Sequence, residues 1–216
     1  MIALLVSLAL TVPLSPPDGT YSYSSLLNGT SIGKTAITVT HDPSGTVTLS
    51  ESGAGTMNGQ SGTIADTLTL DANLAPAQYS SVASIGDSKN IKSNVAFSGT
   101  QATQSGDVTK KYDLVADAKH FVLMDVGPFS GFFALPAQMQ AWNRTPVVAV
   151  VPMYAQGIPL IVDSTLKPVR PASVPSADVP MSFNTMMAIT LWYDPATLVV
   201  DEVDVPAQGV TVKRVR

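Results

Sequence analysis

The chain contains no cysteine, and only 13% of its 216 residues are charged. Without thiols there is no disulfide framework, no thiolate metal site, no cysteine nucleophile and no lipid attachment through an N-terminal cysteine. Lys and Arg number 12 against 16 Asp and Glu, for a formal charge of −4 and a pI near 4.9. The concentrated cationic surface that holds nucleic acid is therefore missing. The two histidines, His41 and His120, show no His-x-His or His-x-x-x-His spacing, and zinc wants at least three ligands of suitable type. Neither metal nor cofactor is expected. Glutamates are also two, Glu51 and Glu202, which narrows the scope for paired-carboxylate glycoside chemistry. The Asp-Thr-Gly and Asp-Ser-Gly signatures of an aspartic-protease dyad are absent.

Long apolar runs are lacking too. Ile2–Leu14 is almost unbroken but covers 13 residues, short of the roughly 20 that cross a bilayer as a helix. Followed by Ser15-Pro16-Pro17-Asp18, it fits the apolar region of a signal peptide. Residues 1–18 are read as a signal peptide or N-terminal apolar segment processed between Ala9 and Thr20, the alternative being a buried N-terminal strand or helix. Residues 19–216 are read as a single domain, exported to the periplasm or cell envelope and without an integral membrane span. A hydrophobic content of 45% and a mean hydropathy of +0.23 exclude a disordered chain.

What is present is mostly period two. Tyr21 and Tyr23 alternate with serines, and the threonine-rich alternation through Ile32, Ile37 and Val39 follows Asn28-Gly29, a strong hairpin signal. Asp42-Pro43-Ser44-Gly45 makes a second turn into Val47 and Leu49. The Gly/Ser-rich stretch Glu51–Thr63 is a long hairpin tip or a mobile loop. Strands are expected at Thr67–Leu70, Tyr79–Ile85, Ile91–Phe97, Tyr112–Ala116, Val147–Met153 and Ile158–Val162, with apolar Phe121–Met124 as a central strand. Pro168–Pro180 reads as a crossing loop. Met187–Tyr193, the turn Asp194-Pro195-Ala196-Thr197 and Leu198–Val205 form a late hairpin, and Gln208–Val215 a last strand. One helix is expected at about 128–142, where Phe129, Phe132, Phe133, Pro136, Met139 and Trp142 recur at helical spacing; Pro136 should kink or divide it. The fold class is mainly β, an antiparallel curved sheet or half-barrel around a short kinked helix.

Motifs of chemistry are weak. Asn28–Thr35 has three residues where a P-loop needs four between its glycines, and it enters a strand rather than a helix. Gly29-Thr30-Ser31-Ile32-Gly33 has the letters of a nucleophile elbow in the same wrong context. Asp125 is either catalytic or, by preference, a cap on the following helix. The soft residues are more informative. Phe132, Phe133, Met139 and Trp142 on the helix, with Met187 and Trp192 on the late hairpin, could line a cavity for an apolar ligand or could form ordinary core.

Tyr21-Ser-Tyr-Ser with Asn28-Gly29-Thr-Ser-Ile-Gly33 at one end, and Leu191-Trp192-Tyr193-Asp194-Pro195-Ala-Thr197 at the other, resemble bacterial exported proteins of the DUF3108-like type. Those are similar to the LolA/LolB lipoprotein carriers, half-barrels curled around one or two helices. The resemblance implies a periplasmic or envelope binding protein without an assigned activity; joined to the soft residues, it gives as the leading reading a protein that binds a hydrophobic small molecule or lipid moiety. Two rivals stand beside it: a non-enzymatic envelope module that binds a protein through a sheet edge or the Glu51–Thr63 loop, and a hydrolase or its accessory domain using Ser31, Asp125 or His120.

Overall fold

The alternation read from the sequence becomes fifteen strands and one helix in a computed structural model, which describes residues 15–57, 59–86, 90–115, 117–125, 127, 129–184 and 188–216. The apolar run Ile2–Leu14, and with it most of the expected signal segment, lies outside the described residues. In chain order the strands are β1 (Gly19–Leu27), β2 (Thr30–His41), β3 (Val47–Met57), β4 (Gln60–Leu70), β5 (Pro76–Ile85), β6 (Ile91–Ser98), β7 (Gln101–Gly106), β8 (Lys110–Asp113) and β9 (His120–Leu123). After the helix α1 (Ser130–Ala141) come β10 (Val147–Val151), β11 (Gln156–Leu160), β12 (Val179–Asn184), β13 (Ala188–Tyr193), β14 (Val200–Val205) and β15 (Val210–Arg214). Twelve strands form one antiparallel sheet in the order β12-β13-β14-β15-β1-β2-β3-β4-β5-β6-β7-β8. It curves without closing into a barrel.

The hairpin chemistry is local. Asn28 and Gly29 both take positive φ, 49° and 80°, as a two-residue turn matched to the strand twist requires. Asp42 accepts bonds from the backbone N–H of Ser44 and Thr46 at 2.8 and 3.0 Å, fixing the β2–β3 turn.

Glu51–Thr63 is a paired hairpin. β3 and β4 stay in register from Val47↔Leu70 to Met57↔Gln60. Its glycines serve curvature: Gly33, Gly55 and Gly62 lie opposite one another on β2, β3 and β4. A Cβ on Gly55 would lie 2.5 Å from the Ile32 carbonyl oxygen, and one on Gly62 2.7 Å from that of Ser84. Only a bare Cα lets neighbouring strands coil this closely.

The interior of the curve is filled by a second unit. β9, α1 and β10 form a β-α-β crossover whose strands pair in parallel, Val147↔His120 to Val150↔Leu123, and β11 adds antiparallel to β10. This corrects two expectations. Strand pairing is not antiparallel throughout, and Phe121–Leu123 is not central in the main sheet but on the edge of a separate three-stranded one. Val147–Val151 is buried at every position, the signature of a strand covered on both faces. β7, unforeseen in the sequence, follows the turn at Gly99, whose φ is +56°. Beyond β11 the chain reaches the other edge of the main sheet, where Val162 bridges Phe183 and Asp163 N–H donates to Ser182 O at 2.8 Å.

α1 runs undivided through Pro136, and Ser130, Gly131 and Phe133–Met139 are all buried. An apolar helix with no polar stripe belongs inside a domain. Leu123, Phe133, Leu135, Met139 and Leu160 pack with Tyr23, Ile37, Leu49, Leu68 and Tyr79 of the main sheet into one core. Substituting Gly55 by Val should force β2 and β3 apart and cost about 1–3 kcal/mol, read as a fall of several degrees in the thermal midpoint. An unchanged midpoint would refute the close-approach role.

Candidate functional site

The inner face of the main sheet carries a polar belt above the apolar core. Glu51 of β3 and Asp66 of β4 are cross-strand partners, both point inward, and each is 4% exposed. Glu51 Oε1 accepts from Thr35 Oγ1 at 2.7 Å, and Oε2 accepts from the backbone N–H of Phe129 and Ser130 at 2.6 and 2.7 Å. The residue at the start of α1, Phe129, offers no side-chain cap, so two of the orphan N–H groups of the buried helix end are satisfied from a strand 78 residues away in sequence. This corrects the expected role of Asp125. That carboxylate instead accepts from the Tyr79 hydroxyl at 3.0 Å and Met153 N–H at 3.1 Å, tying β5 to the short 3₁₀ turn Pro152–Tyr154.

Asp66 accepts the hydroxyl of Ser130, while its second oxygen meets no donor. Burial first, and then the charge of Glu51, push its carboxyl up to about 8. Burial also raises Glu51, opposed by its hydrogen bonds from Thr35, Phe129 and Ser130. Burial thus disfavours two charges side by side, and the three donors on Glu51 favour the ionised form there over Asp66. Further along the belt, Gln104 donates to Ser93 and to the Pro152 carbonyl, 3.0 Å each, and accepts the Tyr112 hydroxyl.

The belt is a structural anchor, its dyad buried from solvent. The open space is elsewhere. A cleft of about 440 Å³ lies at the C-terminal end of α1, between the helix and β12–β13. It is lined by the buried Met139, Met181 and Tyr193, by half-buried Val179, and by the exposed Gln140, Asn143, Arg144 and Pro195. The helix ends sharply there: Asn143 and Arg144 take φ of 51° and 54°, and Arg144 N–H donates back to Met139 O at 2.7 Å, the six-to-one bond of a Schellman cap. This turns Arg144, the cleft's cation, out of the helix path. A volume of this size falls within the small-ligand range.

Of the residues singled out from sequence, Met139 lines this cleft. Phe133 is fully buried against Tyr21 and Tyr23, with ring centroids 5.3 and 6.2 Å away. Phe132 is half-buried beside Phe129. Trp142 stacks on His120 at 4.2 Å and donates to the Asn73 carbonyl at 3.0 Å. Burial lowers the His120 pKa, helped by Lys119. Met187 lies outside the described residues. Trp192 points to the opposite face of β13 from Leu191, a core residue. There it pairs with Glu202 across β14 and is covered by the guanidinium of Arg170 at 4.9 Å. It borders a second cleft of about 430 Å³ with Asn28, Thr190 and Asp204 on the outer face. Ser31 is exposed near the β1–β2 turn, and Glu202 accepts Ser173 Oγ at 2.5 Å on the outer face. The two glutamates are thus on opposite faces of the sheet.

Missed in the sequence were Met181, Val179 and Tyr193, readable only once β12 is placed, and the Glu51–Asp66 pair, whose signal is an acid at an inward position of an alternating strand.

No protein-family model matches the chain, and no curated protein matches it by sequence. Among solved structures it is similar to a β-barrel-like protein of the DUF1849 family from Brucella abortus, with a TM-score of 0.55 and 11% identity over 95% of this chain and 98% of that one. A DUF1089 family protein from Pseudomonas aeruginosa aligns with a TM-score of 0.48 and 7% identity over 90% and 92% of the two chains. At such identity the likeness to the former shows the fold alone, a β half-barrel.

Two outcomes follow from the belt. Glu51→Ala leaves two buried N–H groups unpaired and should cost at least about 2 kcal/mol in denaturant unfolding; a loss under a few tenths would contradict the cap. Because Asp66 holds its proton up to about 8 when folded but only to 3.8 as a free carboxyl, the folded state binds more protons between those values. Stability should then fall as pH rises from about 4 to 8, by up to about 1.4 kcal/mol per unit from this group. Asp66→Asn should flatten that part of the pH–stability curve, and an unaltered slope would refute the raised Asp66 pKa.

Proposed function

We propose that the protein binds an apolar small molecule or lipid moiety, with an anionic end, in the cleft between the C-terminal end of α1 and β12–β13. The observation that carries this is the contrast within the cleft: buried Met139, Met181 and Tyr193 and half-buried Val179 beside the exposed Arg144. Thioether and aromatic linings adapt to flexible chains, and each buried methylene adds about 0.8 kcal/mol without specific contacts. An exposed guanidinium there adds attraction for a carboxylate or phosphate head.

This reading places the protein among exported half-barrel binding proteins of the DUF3108 or LolA/LolB kind, in the periplasm or envelope. The apolar run Ile2–Leu14 ahead of the domain and the absence of thiols support that placement.

Titration with an anionic amphiphilic dye, 1-anilinonaphthalene-8-sulfonate, and with a neutral apolar dye tests it. Both should bind saturably and be displaced by a long-chain fatty acid. Arg144→Glu, at an exposed position, should weaken the anionic dye about 3- to 10-fold and leave the neutral dye unaffected. Failure of both dyes to bind saturably would overturn the reading.

A further inference from the structure

β1 and β2 pair so that Gly19 faces Val39, which brings the residues just before β1 beside the last residue of β2. Asp18 and His41 meet there. His41 Nδ1 lies 2.6 Å from Asp18 Oδ1, and His41 Nε2 lies 2.7 Å from Ser15 Oγ. A carboxylate only accepts, so Nδ1–H donates to Asp18, and in the neutral imidazole Nε2 then faces the Ser15 hydroxyl as an acceptor. The hydrogen bond from His41 holds the Asp18 carboxyl below its ordinary value, consistent with an ionised acceptor. The other carboxylate next in sequence, Asp42, is committed to the β2–β3 turn through Ser44 and Thr46. The residues that follow Ser15 are held as well: Pro16 is buried, and the Tyr21 hydroxyl donates to the Pro17 carbonyl at 2.8 Å.

We propose that Ser15, His41 and Asp18 form a nucleophile–base–acid triad that transfers the acyl group of small activated esters to water. The arrangement is recognised by geometry and roles, whatever the fold or chain order. Ser15 Oγ bonds to the ester carbonyl carbon as its proton passes to His41 Nε2. The carbon–oxygen bond to the leaving alkoxide breaks, the alkoxide takes that proton, and acyl-Ser15 remains. Water then attacks the acyl carbon and gives a proton to His41. The acyl–Ser15 bond breaks, Ser15 regains a hydrogen from His41, and a carboxylic acid departs. Asp18 orients the imidazole and stays ionised throughout.

The substrate class follows from exposure. The His41 and Asp18 side chains are 31% and 65% exposed, so the oxyanion is solvated by water and the gain comes from general-base catalysis and positioning. Acyl donors whose leaving group departs as a weak base, such as aryl esters, suit that site. This centre lies at the start of β1 and the end of β2 and is built from none of the residues of the α1 cleft. It requires that processing, expected between Ala9 and Thr20, leave Ser15 and Asp18 on the chain, and cleavage after Ser15 would remove the nucleophile and overturn the proposal.

The test is labelling of the full chain with a fluorophosphonate, located by peptide mass spectrometry, with p-nitrophenyl acetate hydrolysis alongside. Ser15 should be labelled at least about 100-fold faster than any other serine. His41→Gln should abolish that advantage, Asp18→Asn should reduce it about 10-fold or more, and Ser15→Ala should remove ester hydrolysis above the background of free imidazole. Circular dichroism establishes that each variant is folded; should His41→Gln fail to fold, the exposed Asp18→Asn decides. Absence of label at Ser15, or equal labelling in wild type and the folded histidine or aspartate variant, would overturn the proposal. The three residues would then serve only to pin the segment before β1.

Discussion

The structure depends on one buried carboxylate. A twelve-stranded sheet that curves without closing needs its concavity filled, and the filler is a β-α-β unit whose helix starts deep inside. The first N–H groups of that helix have no intrahelical partner, and each left bare in a buried site would cost about 1–3 kcal/mol. Glu51 supplies both bonds from the facing strand. A charge there is eased by the positive end of the helix dipole, which points at it, and burial favours the neutral form of the adjacent Asp66. Gly55 and Gly62, immediately up the hairpin, let β3 and β4 coil closely enough against their neighbours for the acids to turn inward over the core.

Fixing one end of α1 positions the other. From Ser130 the helix runs through the buried Pro136 to the left-handed pair Asn143 and Arg144, where it meets β12 and β13. The anchored end is buried and polar, and the other end opens on a cleft of mixed lining, with Met139, Val179, Met181 and Tyr193 beside Gln140, Asn143 and Arg144. The outer face is handled differently: the proline-rich segment after β11 crosses β13 and β14, with Arg170 over Trp192 and Ser173 on Glu202.

Much of this was legible in the sequence where the determinant is local. Asn28-Gly29 and Asp42–Gly45 turned the chain as their chemistry requires, and the aromatic spacing from Phe129 marked the helix. Non-local determinants were hidden. Parallel pairing of β9 with β10 rests on the helix that separates them, and their apolar strands read alike in either sheet. Glycines at Gly55 and Gly62 suggested looseness, yet they are needed for tight approach. Trp192 and Met139 looked alike as soft residues, but a single residue's phase along β13 puts Trp192 on the other side of the sheet. The cap on α1 and the partner of His41 are each contributed from a distant stretch of chain, so no spacing rule could reveal them.

The ligand-binding account is tested most directly by native mass spectrometry of gently purified protein, followed by solvent extraction. A complex carrying one apolar molecule with an anionic group, released by the solvent, is the expected result. A bare polypeptide mass that stays bare after incubation with long-chain fatty acids and phospholipids would contradict it.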